Sequence, residues 1–533
     1  MKKLALLLAL VMILTCVPAL AEINTEGLPI SDETFSFSML IDDNGTVEDH
    51  AVIYDILEAQ TNVHVDLELY PYDVACEKYG IYMSTGDYPD VIAGWILGTK
   101  DILDLGMGEG TFLPLEDLIA KYCPNITAVL DIPGVRDSMT LPDGHIYSIP
   151  YVVGEPEAIF KPYINQKWLK AVDMEMPTTP EELKAVLIAF RDMDANENGD
   201  PNDEIPFSGD PVNLSLGMCC GWWGVDANSG NMDYPYFENK DGKLHFTANT
   251  EEYRTFLEFF ADLYSEGLID PELFTQDSNA QKAKGNENLY GVNIGYGHSD
   301  WWDGYEKGTP EFEEYGYNDF TALPVLKGCE NPVFHRNSYG VTLFRTQNAI
   351  TDKCDEEKAI AILRWFDNLY EEENSIQSQS GPLGIAIEKL GEGLYRSLPQ
   401  DDWTQEEKDK YSWGNIFTQS LNRWYHDAVV LGAGETEKVQ SEMDIYDEMY
   451  APYLNDNFKK VWPTNEDDVE RVSILTTDIN TYVKSMIAQF VSGETELNDE
   501  SWNAYCAQLE AYGLEELIEI NARALDMEIY TAE

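Results

Sequence analysis

Six oxygen-bearing side chains crowd one short run of this chain: Asp194, Asn196, Asn198, Asp200, Asp203 and Glu204. The first four recur at every second position, and Gly199 holds the sixth place of the run. A hard cation such as calcium takes several carboxylate and amide oxygens, and a glycine at the sixth place lets the chain turn sharply around it. The pattern is the front of an EF-hand loop with an altered end. Carboxylates stand at the tenth and eleventh places, and Ile205 occupies the twelfth, where a bidentate Glu is usual. A solvated, Asx-rich turn has the same spacing, so the flanking elements decide between the two.

Those elements are sharply marked. Thr179 is a helix N-cap, Pro180 suits the first helical position, and Glu182 completes a capping box. Leu183, Val186, Leu187 and Phe190 then fall on one apolar stripe of a helix that runs straight into the loop. Ile205-Pro206 ends the loop at once. A capped helix on one side and a strand-like exit on the other favour a calcium loop over a free turn.

Flat aromatic rings in loops are the second chemical signal, since an exposed ring can cover the apolar face of a ligand. Of 12 Trp and 31 Tyr, most must be core. Trp168, Trp365 and Trp502 lie in helical patterns and are assigned to packing. Trp95, Trp222, Trp223, Tyr296, Trp301, Trp302, Tyr411 and Trp413 lie in loop-like or Gly-flanked settings. They are the candidate ligand platforms.

The 533 residues are too many for one small core and imply two lobes. Alternating apolar residues at 34–39 and 65–70, helical patterns near 51–61 and 76–84, and a strand at 90–93 form a β-α-β-α-β run, the sign of a largely parallel sheet. Further helices are expected at 250–267, ended by Gly267, and around Leu475 to Phe490, ended by Gly493. Basic residues number 34 against 97 acidic, a net charge of −63, which makes nucleic acid and anionic lipid poor partners. Lys2 and Lys3, the apolar run 4–14 and Ala19-Leu20-Ala21 read as a secretory signal over residues 1–21. Lipidation at Cys16 is the alternative, weakened by Thr15 before it. The seven other cysteines, Cys76, Cys123, Cys219, Cys220, Cys329, Cys354 and Cys506, have neither zinc spacing nor a disulfide framework.

Residues 163–206 resemble the hallmark segment of the extracellular solute-binding proteins of family 1, the carbohydrate-capturing subunits of ABC importers, including the alginate-binding type with a calcium loop at this place. Other stretches are similar to the same family: Gly86 to Val91, Phe112 to Ile119, Leu141 to Pro150 and Ala322 to Gly328. The resemblance implies a two-lobed α/β periplasmic-binding-protein-like fold of type II with several crossovers. It places the first lobe at 22–155 plus 320–348. The second, larger and mostly helical lobe is at 156–319 plus 349–533, with a helix within 349–370 returning to it. It further implies an oligosaccharide held in the inter-lobe cleft by hinge closure, with Trp301 and Trp413 as its foremost platforms because their segments correspond to cleft segments of the family. ABC permease subunits as membrane partners, a monomer, structural calcium on the 194–204 loop and an extracellular location are implied as well. No nucleophile elbow, zinc-protease helix or phosphate-cradling loop is present. A carboxylate pair of a glycan hydrolase stays open among 97 acidic residues, while a repeat-built adhesion scaffold finds no repeat.

Overall fold

The computed structural model describes residues 23–43, 52–150, 158, 160–209, 215–226, 235–305, 309–310, 318–335, 348–400, 402–411, 428–433, 442–455, 462–463 and 466–531. The signal segment 1–21, Cys16, Trp413 and most of the first expected crossover therefore lie outside the described residues. The strands that matter below are β1 (Phe35–Asp43), β2 (Val63–Pro71), β3 (Val91–Ala93), β4 (Lys161–Asn165), β5 (Ile205–Phe207), β6 (Tyr290–Gly295), β7 (Phe320–Ala322) and β8 (Ala349–Ile350). The helices include α1 (Val52–Thr61), α2 (Tyr72–Thr85), α3 (Pro180–Asp192), α4 (Glu251–Ser265), α5 (Ser278–Asn286), α6 (Glu356–Leu369), α7 (Glu466–Ser492) and α8 (Asp499–Tyr512).

The chain divides into one unit of Met1–Val153 with Val341–Val439 and a second of Gly154–Gly340 with Gln440–Glu533. In the first, the expected β-α-β-α-β run forms a sheet of order β8-β3-β1-β2. β1 pairs parallel with both β2 and β3, and β8 closes the edge antiparallel, with Ile350 opposite Val91. Phe37, Met39 and Ile41 alternate into a core with Ile53 and Leu57 of α1. Helix α6 packs into this core rather than with the second lobe. Its Trp365 meets Phe37 edge-on at 5.6 Å and stacks on Tyr54 at 6.0 Å. The assignment of 349–439 to the second lobe is thus corrected: Ile362, Trp365, Phe366 and Leu369 find their apolar partners on the first unit's sheet.

In the second unit the sheet order is β5-β6-β4-β7. β7 pairs antiparallel with β4, Tyr163 opposite Ala322, so residues 320–335 belong here and not to the first lobe. Phe334 is buried in the same core, and its amide donates to the carbonyl of Tyr453 at 2.6 Å. Helix α7 buries Leu475, Ile479, Val483, Ile487 and Phe490, the stripe expected from sequence, in the core that also takes Phe256 and Phe260 of α4. The expected stops hold: Gly267 and Gly493 both adopt positive φ just past these helices. Among the described residues no helix is long and apolar enough to cross a membrane.

Candidate functional site

Helix α3 delivers the acidic loop as its residues dictate. Thr179 Oγ1 accepts the amide of Glu182 at 3.2 Å, the cap the sequence predicts. The reciprocal arm is shifted by one residue, since Glu182 Oε2 takes the amide of Thr178 at 2.8 Å and its hydroxyl at 2.7 Å. Leu183, Val186, Leu187 and Phe190 are all buried, and Phe190 meets Trp168 edge-on at 5.3 Å. At the far end β5 pairs with the start of β6, Ile205 opposite Tyr290. The loop is therefore clamped between a helix end and a core strand.

Within the loop Gly199 has φ +95°, the left-handed turn that the sixth place requires. Asp194 Oδ2 accepts the amide of Gly199 at 3.0 Å, and Asn198 Oδ1 accepts that of Asp200 at 2.8 Å. Asp203 takes the side-chain amides of Asn196 and Asn198 at 3.2 and 2.6 Å. Glu204 Oε1 accepts the amide of Ala195 at 2.9 Å. Two carboxylate oxygens, Asp194 Oδ1 and Glu204 Oε2, are buried with no hydrogen-bond partner. Burial, with the Asp203 charge beside it, holds the Glu204 carboxyl above the usual carboxylate range. No group of three or more His, Cys, Asp or Glu among the described residues converges as a finished metal site. The donors nonetheless fit a hard cation: one orphaned oxygen comes from each end of the loop, and the Asn and Asp oxygens lie between them.

The aromatic candidates separate by burial. Trp301 is fully buried, 5.6 Å from Tyr163 and 5.4 Å from Phe320. Trp222 is buried and stacks on Phe260 at 6.2 Å. Both are corrected to packing roles, because burial leaves neither ring exposed to a ligand. Gly-flanked sequence concealed this: a Cβ on Gly285 would lie 1.7 Å from the Trp301 carbonyl, so that glycine serves the tryptophan's close packing. Trp302 is nearly buried against Tyr305, and Trp223 is partly buried beside Phe259 at 5.3 Å. Trp95 is half-buried, Tyr411 lies edge-on to Trp403 at 5.9 Å, and Tyr296 is 38% exposed. Trp168, Trp365 and Trp502 are core, as assigned.

Tyr296 directly follows β6, and its main chain is held on both sides. The buried Tyr163 hydroxyl donates to the Tyr296 carbonyl at 2.7 Å, and the Tyr296 amide donates to Asp300 Oδ2 at 2.7 Å. Phe160 stands edge-on to its ring at 6.4 Å. In the first unit Trp95 follows β3, and its amide donates to the buried Asp42 at 2.5 Å. Phe160, Asp42 and Tyr72 stand near these rings or strand ends and are not among the candidates that the sequence marks. Tyr72 opens α2 beyond the carboxyl end of β2 and is 46% exposed. Phe160 and Tyr72 sit at strand ends without glycine neighbours to mark them as loop residues, and Asp42 is one acid among 97.

No protein-family model matches the chain. It is 30% identical over 496 residues to the fructooligosaccharide ABC transporter substrate-binding protein FusA of Streptococcus pneumoniae serotype 4, covering 89% of this chain and 86% of that protein. It is 26% identical over 357 residues to Lipoprotein LipO of Bacillus subtilis, covering 65% of this chain and 66% of LipO. The structure of FusA in complex with kestose superposes with a TM-score of 0.73 at 26% identity, over 92% of this chain and 99% of that one. A FusA EF-hand mutant with fructo-nystose superposes equally well. A solute-binding protein from Bifidobacterium longum infantis, described as HMO-binding, shares the fold at 22% identity, TM-score 0.73, over 93% of this chain and 99% of that one.

Proposed function

This chain belongs to the extracellular solute-binding proteins of family 1, the substrate-binding subunits of ABC transporters, and from that premise we propose that it captures an oligosaccharide outside the cell for delivery to a membrane permease. It is a binding protein and not an enzyme, like the relatives it matches along nearly their whole length. The observation that carries the reading is that full-length likeness to a fructooligosaccharide-binding relative, which makes short fructans such as kestose the first ligands to try.

The sugar-facing platforms in this reading are Trp95, Trp223, Tyr296, Trp302, Tyr411 and Trp413. Exposure supports Tyr296 and Trp95 most directly. Capture proceeds by hinge closure: a ligand gripped in the closed state favours that state by its differential affinity. Calcium, held by Asp194, Asn196, Asn198, Asp200, Asp203 and Glu204, would supply charge neutralisation and rigidity to the loop and take no part in a reaction. The two orphaned carboxylate oxygens support this assignment, as does the existence of an EF-hand in FusA. Export proceeds through residues 1–21 with cleavage after Ala21; anchoring at Cys16 is the alternative, and a lipoprotein among the relatives supports that alternative alone. The protein acts as a monomer beside its permease.

A panel of oligosaccharides that includes kestose, followed by thermal shift and by reducing-end release, tests this. Stabilisation by at least one sugar without cleavage is expected. Cleavage of any sugar, or indifference to all of them, overturns the proposal.

A further inference from the structure

We infer that Asp42 is a positioning residue for sugar capture: its buried carboxylate fixes the turn that presents Trp95. The inference rests on the oligosaccharide-binding function proposed above and on Trp95 as one of its platforms. Asp42 is the penultimate residue of β1 and only 1% exposed. Its Oδ1 accepts the amide of Trp95 at 2.5 Å and that of Ile96 at 3.3 Å. β1 and β3 are neighbours, Ile41 opposite Ala93, so a carboxylate at the end of one strand grips the first turn beyond the other.

The rest of that turn is equally held. Gly94 turns the chain at φ +91°, and Asp101 Oδ2 accepts the amide of Gly98 at 2.7 Å. Asp101 Oδ1 is itself fixed by the Tyr79 hydroxyl at 2.7 Å. Ile96 and Leu97 are buried, which leaves Trp95 as the large side chain of the turn that is only half-buried. The turn lies beyond the carboxyl ends of parallel strands, where open α/β sheets gather their ligands. A carboxylate buried to this degree is costly, and an apolar residue would fill the same space at less expense. What an apolar residue cannot do is hold two successive amides in register. A platform ordered before the sugar arrives keeps the binding free energy that ordering would otherwise consume.

The experiment is a double-mutant cycle on kestose binding, or on binding of the panel sugar that most stabilises the wild type, read by calorimetry. Trp95→Ala should weaken binding about tenfold or more, the worth of one good ring contact. Asp42→Ala should lose a similar factor in the wild-type background but less than about twofold when Trp95 is already Ala, because coupled residues are non-additive. Asp42→Asn keeps a carbonyl oxygen for the two amides and should stay within about threefold of wild type. Thermal unfolding of each variant checks folding, and a general loss of structure would show as equal weakening in both backgrounds. Such additivity, or an unchanged Kd in Trp95→Ala, overturns the inference and leaves the proposed function standing. A wild type that binds no sugar of the panel overturns both.

Discussion

The Lys358 ammonium lies 2.7 Å from Oδ2 of Asp90, and through this pair helix α6 is tied to the strand edge where β3 begins. Burial pushes the Asp90 carboxyl up, but Lys358 and the Ser38 amide outweigh it and hold it below the usual range. A carboxyl lowered in the folded state contributes stability above its unfolded pKa and loses it as pH falls through the folded value. Lys358→Met leaves the carboxylate buried with only the Ser38 contacts and the Cys354 thiol, and should cost about 2 kcal/mol at neutral pH, allowing for the partial exposure of Lys358. Calorimetric unfolding at pH 7 measures it. A variant as stable as wild type would show the pair to be incidental.

Asp367 should shape the pH dependence in the opposite sense. Burial pushes its carboxyl up to about 6, although it accepts the Ile126 amide at 2.8 Å. The folded protein then binds this proton more tightly than the unfolded chain. The contribution is therefore greatest at acid pH and is lost as pH rises through about 6. Asp367→Asn keeps an acceptor for Ile126 and removes the charge. The stability gap between variant and wild type should move in the variant's favour by on the order of 1–2 kcal/mol between pH 4.5 and 7.5. Parallel melting curves across that range would count against it.

Calcium should act on stability through the two ends of its loop. Chelator is expected to lower the melting temperature and added calcium to restore it. Asp194→Ala and Glu204→Gln should each abolish that response, since each removes an orphaned buried oxygen. Glu204→Gln also removes the charge that burial and the neighbouring Asp203 disfavour, so in chelator it should melt no lower than wild type. Melting that ignores chelator in the wild type would remove the metal from this loop.

Trp301 and Tyr296, close in sequence, should part company on mutation. Trp301→Ala opens the core between Tyr163 and Phe320 and should cost about 3–5 kcal/mol. Tyr296→Ala removes an exposed ring and should change stability by less than about 1 kcal/mol while weakening sugar binding. Unfolding and Kd measured on both variants separate the two roles. A stability loss from Tyr296→Ala as large as that from Trp301→Ala would dismiss the distinction.

The helix 180–192 and its loop were legible in sequence because their signals are local. A cap, a first-turn Pro, an apolar stripe and a glycine at a forced turn act on residues within a few positions of themselves. The parallel run of β1 to β3 was legible for the same reason, since alternation and helical period need no knowledge of partners. Where α6 packs was not. Its apolar face says that it is buried and does not say against what, and only Phe37 and Tyr54 around Trp365 decide it. The tryptophans make the same point. Gly-rich surroundings marked Trp301 as a loop residue, and it took Tyr163, Phe320 and a glycine at 285 to make it core. Sequence by itself determined the family, the two-lobed α/β class and the candidate cation loop. Only tertiary structure decided which segments share a core and which rings keep a free face, because burial is set by pairings between residues distant along the chain.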